Sequence, residues 1–281
     1  MRIFSTLLAF LLQLSLAGQT SIALSDPIVA FSPHVTTRTL SLSDQSVTIR
    51  EEQYGDAKSW VFVHLHGTEW TSREAAQEIL PLTGGYLIGL ENGRNRNLLV
   101  TWQQRKWKLD PNRIFSDTGI RMNLRELNKY RFTESLVEKI KAFGEQFASL
   151  LPETANCIIA LHNNSEGNFS IHDYLPGGKR ATDARQVFSD PQQDPDDIVI
   201  TTDSLLYTHM ASACYNTVWQ DSAQVKRDGS LSVYAALRGK RYVNIETEHG
   251  RKEQYVRMLQ HLMLYLVRER ETLQSAPPSQ Q

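Results

Sequence analysis

A histidine and a glutamate three residues apart form the most chemically suggestive pair in the sequence. The segment His-Gly-Thr-Glu-Trp occupies residues 66–70, directly behind the apolar run at 60–63. On a tight turn or a first helical turn, side chains at this spacing point the same way, so the imidazole of His66 and the carboxylate of Glu69 can bind one cation. Alone, the pair is a weak indication, because His and Glu often stand at this spacing by chance.

A catalytic zinc ion usually takes three protein ligands and leaves one position to water, so a third ligand is needed. His162 is the best candidate, because it follows the apolar run 157–161, which predicts a strand buried on both faces. Ligand sites in open α/β sheets gather at the carboxyl ends of strands, where His66 and Glu69 also lie. The alternative for His162 is a core histidine with satisfied hydrogen bonds, and we expect His64 to be structural.

Two further motifs complete a recognisable order. Residues 109–115 read Leu-Asp-Pro-Asn-Arg-Ile-Phe, and residues 242–246 read Tyr-Val-Asn-Ile-Glu, a predicted strand that ends in Glu. The succession His-x-x-Glu-Trp, Asp-x-Asn-Arg-x-Phe, a strand-terminal His and a late strand ending in Glu resembles the funnelin zinc carboxypeptidases. The resemblance covers roughly residues 58–270. Four motifs in the same order are far more specific than any one of them.

The resemblance implies a zinc metallohydrolase that holds one Zn²⁺ through His66, Glu69 and His162. It also implies that Asp110 accepts the other ring N–H of His66, which would fix the tautomer and orientation of the imidazole. The alternative for Asp110 is a turn residue ahead of Pro111.

Substrate recognition and proton transfer follow from the same resemblance. Asn112 and Arg113 match the pair that binds the terminal carboxylate of the substrate, and a guanidinium with an amide suits a bidentate anion. A structural salt bridge is the alternative. Glu246 matches the general base, which takes a proton from the zinc-bound water and delivers it to the leaving amine. Glu248 faces the same way by strand alternation and is the rival for this role.

An arginine ahead of the Asn-Arg pair polarises the scissile carbonyl in the family. Arg105 occupies the comparable place here, with Arg94 and Arg96 as rivals. Tyr234 precedes Glu246 roughly where the family has a mobile tyrosine that closes over the substrate, and a core or capping tyrosine is the alternative.

Two differences from the digestive carboxypeptidases leave the identity of the substrate undecided. The segment between Glu69 and Asn112 is shorter than in digestive carboxypeptidases, and Asn163 and Asn164 follow His162 where those enzymes usually have Ser. Such trimmed cores are similar to aspartoacylase-like and succinylglutamate-desuccinylase-like amidases, which cleave N-acyl amino acids. We expect a carboxypeptidase that cuts an amide next to a free carboxylate, with peptidoglycan stem peptides as one candidate substrate. The alternatives are an N-acyl amino acid amidase and a non-catalytic binding module.

The beginning of the chain predicts export to the periplasm or the medium. Met-Arg followed by an apolar stretch at 3–16 is typical of a signal peptide, with cleavage after Ala17 or Ala23. We take 1–23 as the signal, 24–274 as one catalytic domain and 275–281 as a disordered tail. With 30 basic and 31 acidic residues, the charge predicts no nucleic-acid partner, and no later stretch predicts stable membrane insertion. Cys157 and Cys214 can be a disulfide or two free thiols.

Hydrophobic patterns predict the elements that position these residues. Strands are expected at 46–50, 60–65, 85–90, 97–102, 156–161, 197–201, 205–210 and 241–246, and helices at 71–80, 133–150 and 252–271. Residues 175–197, rich in Pro, Gly, Asp and Gln, predict a surface loop, and the functional alternative is a loop that borders the site and shapes substrate access. Continuously apolar strands between helices predict a three-layer α/β/α sandwich with a mixed, largely buried central sheet.

Overall fold

The structure is a computed structural model that describes residues 30–55, 59–129 and 131–275. Apart from Ala30, the described residues belong to one compact unit that begins at Phe31. The predicted signal peptide and residues 276–281 of the predicted tail therefore lie outside the described residues, and both stay predictions.

A mixed sheet of nine strands carries the site, in the order β1-β2-β4-β3-β7-β11-β9-β10-β8. The four strands β4, β3, β7 and β11 are parallel and form its centre. Strands β2 and β1 extend it by antiparallel pairing on one side. On the other side β9 is antiparallel to β11, β10 is parallel to β9, and β8 is antiparallel to β10. Strands β5 and β6 form a separate hairpin. The strands are β1 (Pro33–Leu42), β2 (Gln45–Tyr54), β3 (Trp60–His64), β4 (Gly85–Glu91), β5 (Leu98–Trp102), β6 (Arg105–Leu109), β7 (Cys157–Asn164), β8 (Ala184–Phe188), β9 (Ile198–Thr201), β10 (Asn216–Gln220) and β11 (Tyr242–Glu248).

Helices cover both faces of the sheet. They are α1 (Trp70–Thr83), α2 (Asp117–Leu127), α3 (Glu134–Ser149), α4 (Ser204–Ser212), α5 (Leu231–Leu237) and α6 (Lys252–Ser275). One apolar core joins the sheet to α1, α4 and α6, and a second joins it to α2, α3 and α5. Every residue of β3 and of β7 is buried, as a sheet covered on both faces requires. The predicted three-layer sandwich with a mixed central sheet is confirmed.

The strand predicted at 205–210 is wrong, because these residues belong to helix α4. The Asp203 carboxylate caps this helix by accepting the N–H groups of Leu205 and Leu206, both at 2.8 Å. The run is short and apolar, a case in which periodicity does not separate a strand from a buried helix turn. The cap at Asp203 is the signal that favours the helix.

Four strands and two helices lie where none was predicted, namely β1, β6, β8, β10, α2 and α5. Strand β1 is exposed along most of its length, so it carries no apolar pattern and is held by backbone pairing with β2. Residues 175–197, expected to be a loop, contain β8 and a short 3₁₀ turn at Ala181–Asp183. Helix α6 continues to Ser275, four residues beyond its predicted end.

Both cysteines are free thiols, with Cys157 buried and Cys214 exposed. Across residues 30–55, 59–129 and 131–275, no helix combines the length and the apolar character needed to cross a membrane.

Candidate metal centre

The turn between β3 and α1 brings Glu69 back towards His66. Glu69 stands at the N-terminal boundary of α1, but its carboxylate makes no capping hydrogen bond to the helix. It is turned instead into the protein, where His66 and Glu69 are each 1% exposed. A buried carboxylate without partners would be very costly, so its surroundings must supply positive charge or hydrogen-bond donors.

His66, Glu69 and His162 converge as the sequence predicts. Oε2 of Glu69 lies 2.9 Å from Nδ1 of His66 and 2.8 Å from Nδ1 of His162. One ligand atom from each residue lies within 4.8 Å of the other two, and the two imidazole centroids are 5.2 Å apart. Two ring nitrogens and one carboxylate oxygen are a donor set that zinc prefers.

Asp110 lies on the other side of His66, with Oδ1 2.7 Å from Nε2. The imidazole is thus held between two carboxylates. Burial opposes its protonation, but Glu69 and Asp110 outweigh burial and raise the pKa of His66 to about 9. A metal cation bound to Nδ1 of His66 would replace the ring proton there and would offset the negative charge of Glu69 in the same way. The proton on Nε2 would remain and would donate to Asp110. The residues present therefore fit a bound metal ion.

The charges of the two carboxylates are stabilised by the same neighbours. Burial alone would raise the pKa of Glu69, yet the charges of His66 and His162 lower it well below its usual value. Burial likewise opposes ionisation of Asp110, and the hydrogen bond from His66 lowers its pKa. Both groups are therefore ionised over the ordinary pH range, as a metal ligand and its hydrogen-bonding partner must be.

Parallel pairing places His162 beside the predicted general base. His162 on β7 is the register partner of Glu246 on β11. The buried hydroxyl of Tyr255, on α6, accepts the N–H of His162 at 3.2 Å and donates to the carbonyl of Ile245 at 2.8 Å. Tyr255 therefore clamps the two strands together at the level of the site.

Several residues that the sequence did not single out for a role in the site hold Glu69 in place. The backbone carbonyl of Glu69 accepts a hydrogen bond from the Ser72 hydroxyl at 2.6 Å and lies 3.0 Å from Nε2 of His64. Asn163 Oδ1 accepts the N–H of Ser72 at 3.0 Å, which ties the start of α1 to β7. His64 is structural, as expected. The only signal for Ser72 and Asn163 in the sequence was their position next to the ligands.

Gly67 is required by close packing at the turn. A Cβ at this position would lie 2.1 Å from the carbonyl oxygen of Gly93, and the N–H of Gly67 donates to the carbonyl of Asn95 at 3.0 Å. Only glycine allows this approach. The contact brings the segment that carries Arg96 against the turn that carries His66 and Glu69.

Of the three candidate arginines, Arg96 is the one placed at the site. Its Nη1 lies 2.5 Å from Glu69 Oε1, its Nη2 lies 4.0 Å from Asp110 Oδ2, and it is half-exposed at the cavity. Arg105 lies on the β5–β6 hairpin and Arg94 lies in the exposed turn before it. The geometry thus favours the rival Arg96 over the predicted Arg105.

Asn112 and Arg113 lie in the same cavity, which has a volume of about 530 Å³ and is also lined by the three ligands and Glu246. Asn112 Oδ1 accepts the N–H of Leu231 at 2.9 Å, which fixes the amide, and its Nδ2 lies 3.4 Å from Nε2 of His162. Arg113 donates from Nη1 to the carbonyl of Asn112 at 2.9 Å, and its Nη2 lies 3.5 Å from Oδ2 of Asp228, a long contact that leaves the other guanidinium N–H groups for an anion.

Glu246 and Glu248 have different surroundings. Glu246 is buried in the cavity, where its Oε1 accepts Asn244 Nδ2 at 3.0 Å and burial raises its pKa. Glu248 is half-buried and groups with Asp194 and Asp196 away from the three ligands. Of the two, Glu246 is the carboxylate that lines the same cavity as the candidate ligands His66, Glu69 and His162.

Tyr234 lies on α5, where its ring contacts Phe115 at 5.3 Å and the Arg238 guanidinium stacks on it at 3.8 Å. These contacts match the core or capping alternative. In this conformation Tyr234 lies apart from the residues that line the cavity.

No family model and no curated protein matches the sequence. Solved structures with a similar fold include an aspartoacylase family protein from Mesorhizobium loti (15% identity, 88% of this chain and 71% of the other, TM-score 0.42). A succinylglutamate desuccinylase from Silicibacter gives 14% identity, 88% and 71% coverage and a TM-score of 0.42. Thrombin activatable fibrinolysis inhibitor gives 10% identity, 83% and 69% coverage and a TM-score of 0.43.

Identities and TM-scores this low transfer no activity to this chain, and its possible function is inferred from the geometry of the site.

Purified protein is expected to bind about one Zn²⁺ per chain, and His162→Ala is expected to lose this stoichiometric binding because one of three ligands is gone. Asp110→Asn should weaken binding by about 10–100-fold, the usual effect of removing the partner of a ligating histidine. Metal analysis after dialysis and titration with a competing chelator measure both effects. The exposed His172 supplies the matched control, His172→Ala. Undiminished zinc binding by His162→Ala would remove His162 from the ligand set.

Proposed function

We propose that this protein is an exported zinc-dependent carboxypeptidase that hydrolyses the amide bond next to a free carboxylate, with peptidoglycan stem peptides as a substrate class. One observation supports the proposal above all. The His66, Glu69 and His162 ligand set shares a single cavity with a buried carboxylate, Glu246, and with Arg113. Metal ligands, a proton acceptor and an anion-binding group are the parts that this hydrolysis needs.

Zinc, when bound by His66, Glu69 and His162, would polarise the scissile carbonyl and lower the pKa of a water molecule. Glu246 then accepts the proton of the attacking water and passes it to the leaving amine. Its burial suits this task, because a carboxylate in an apolar site accepts a proton more readily than one in water. Asn244 Nδ2 donates to Oε1 of Glu246 at 3.0 Å, and Oε2 is the oxygen that accepts the proton in this proposal.

Arg96 stabilises the negative charge that develops on the carbonyl oxygen during attack. Its guanidinium already lies among the ligands, and its partial exposure allows it to turn from Glu69 towards a substrate without a large packing cost. A preorganised cation aimed at developing charge is among the largest contributions to such catalysis.

Asn112 and Arg113 bind the free carboxylate of the substrate. The amide of Asn112 is fixed by Leu231, and Arg113 keeps donors available beside Asp228. A bidentate carboxylate would compete with the long contact to Asp228 and set the distance from the terminus to the scissile bond. Export of the enzyme rests on the signal peptide predicted at 1–23.

The substrate class is tested by incubating the zinc-loaded protein with peptides, N-acyl amino acids and peptidoglycan fragments, and by identifying the products by mass spectrometry. We expect peptides shortened by one C-terminal residue, because Arg113 binds the terminal carboxylate. Cleavage confined to N-acyl amino acids would instead establish the amidase alternative. The absence of any product would leave the binding-module alternative.

Glu246→Gln is expected to lower kcat by about 10²–10⁴-fold while zinc binding is retained, since the amide cannot accept the proton. Glu248→Gln is the matched control, because it removes a carboxylate two residues away that groups with Asp194 and Asp196. Steady-state kinetics with parallel zinc analysis separate the effects. If Glu248→Gln abolishes turnover and Glu246→Gln does not, the roles of the two glutamates are reversed.

Arg96→Gln is expected to lower kcat by about 10²–10³-fold with a smaller change in KM, because an interaction with the developing charge is lost. Zinc content must be measured alongside, since Arg96 contacts Glu69. Arg105→Gln should have little effect and serves as the control. A larger loss in Arg105→Gln than in Arg96→Gln would return the polarising role to Arg105.

A further inference from the structure

The cavity extends from the metal centre along one face of the sheet. Register places Glu246 opposite Ile198, Asn244 opposite Ile200, and Ile200 opposite Val218. The cavity therefore lies along three neighbouring strands, β11, which carries the proposed general base, then β9 and then β10. Asn244, Ile200 and Gln220 all line the cavity, with Gln220 two strands away from Glu246.

Two buried polar atoms in this part of the cavity are unpaired. Gln220 and Asn244 are each 6% exposed. Within the described part of the chain, Nε2 of Gln220 and Oδ1 of Asn244 have no hydrogen-bond partner. Buried polar side chains are nearly always paired, so unpaired atoms that share one cavity indicate that a ligand completes them.

Arg180 supplies a positive charge to the same region. Its backbone is fixed on both sides, since its N–H donates to the carbonyl of Asp173 at 2.8 Å and its carbonyl accepts the N–H of Asp183 at 2.9 Å. The guanidinium lies 5.4 Å from the centroid of the Phe169 ring, and its Nε is unpaired among the described residues.

The nearby carboxylate of Asp183 neutralises Arg180 only in part. Asp183 Oδ2 lies 3.6 Å from Nη1 of Arg180, and Asp183 Oδ1 accepts the N–H of Lys226 at 3.0 Å. Most N–H donors of the Arg180 guanidinium are therefore available to a ligand. Lys179 also lines the cavity, but its Nζ lies 3.1 Å from Oδ2 of Asp173, so Arg180 is the main positive charge in this region.

Resting on the proposed carboxypeptidase function, we propose that Arg180 and Gln220 form a subsite for an acidic side chain of the residue that hydrolysis releases. The guanidinium and the Gln220 amide donate to the side-chain carboxylate. Oδ1 of Asn244, which lies nearer Glu246, accepts an N–H of the same residue. Asn112 and Arg113 bind the terminal carboxylate, so the enzyme recognises a dicarboxylic amino acid.

An apolar side chain would leave these buried groups without hydrogen-bond partners. Polar sites reject ligands most strongly when the ligand lacks the group that the site would bind. A basic side chain would face the guanidinium of Arg180 and be repelled. An amide would pair with Gln220 and Arg180 but without the charge, so its binding is weaker than that of a carboxylate.

The test uses four dipeptides, acetyl-Ala-Glu, acetyl-Ala-Gln, acetyl-Ala-Leu and acetyl-Ala-Lys, and measures calorimetric binding to zinc-loaded Glu246→Gln protein. We expect acetyl-Ala-Glu to bind about tenfold more tightly than each of the others. Adding Arg180→Gln should abolish this preference, and adding Gln220→Leu should reduce it. Arg185→Gln, which alters an exposed arginine on β8 that stacks on Trp219, is the matched control and should keep the preference.

Equal or tighter binding of the Gln, Leu or Lys dipeptide, or no binding of any dipeptide, overturns the acidic subsite. Retention of the preference in the Arg180→Gln background also overturns it. Hydrolysis of the same dipeptides by the unmodified zinc enzyme is measured separately. Preferential binding of acetyl-Ala-Glu without hydrolysis would refute the carboxypeptidase function and support the acidic subsite. Hydrolysis without this preference would support the carboxypeptidase function and refute the acidic subsite.

Discussion

A single buried carboxylate oxygen, Oε2 of Glu69, organises this structure, because it lies within 3 Å of two imidazole nitrogens that come from distant parts of the chain. Burying a carboxylate is favourable only where positive charge or donors surround it. His66, His162 and Arg96 meet that need, and Asp110 then balances His66 from its far side. Each group makes the burial of the next one possible, so the cluster depends on all of its members.

The sheet makes this convergence possible. Strands β3, β7 and β11 are parallel neighbours, so the residues at their carboxyl ends lie side by side although they are distant in sequence. Tyr255 reinforces the arrangement from α6 by bonding to β7 and β11 together, with each hydrogen bond contributing about 1 kcal/mol. The position of Glu246 beside His162 is thus a property of strand register and does not depend on a mobile loop.

Sequence reasoning succeeded where a residue's place follows from strand order and local spacing. The buried strands predicted the sandwich, and their polar ends predicted His66, Glu69, His162 and Glu246. The sequence is less informative where tertiary packing decides the position of a residue. It favours Arg105 over the rivals Arg94 and Arg96, whereas the approach of the Gly93 carbonyl to Gly67 brings the segment with Arg96 to the site, and the role of either arginine stays a prediction. Residues 205–210, predicted as a strand, lie in helix α4, because a short apolar run has no periodicity that distinguishes a strand from a helix.

The cluster also explains why two cationic groups with similar chemistry suit different tasks. His66 is held between two carboxylates and is almost fully buried, so any movement would expose unpaired charges. Arg96 shares Glu69 with it but is 51% exposed, so water can replace its ion pair at small cost. In the proposed enzyme, a metal ion bound by Glu69 would weaken the attraction that holds Arg96. The guanidinium would then be free to turn towards negative charge on a substrate, whereas the two histidines would stay in place as ligands.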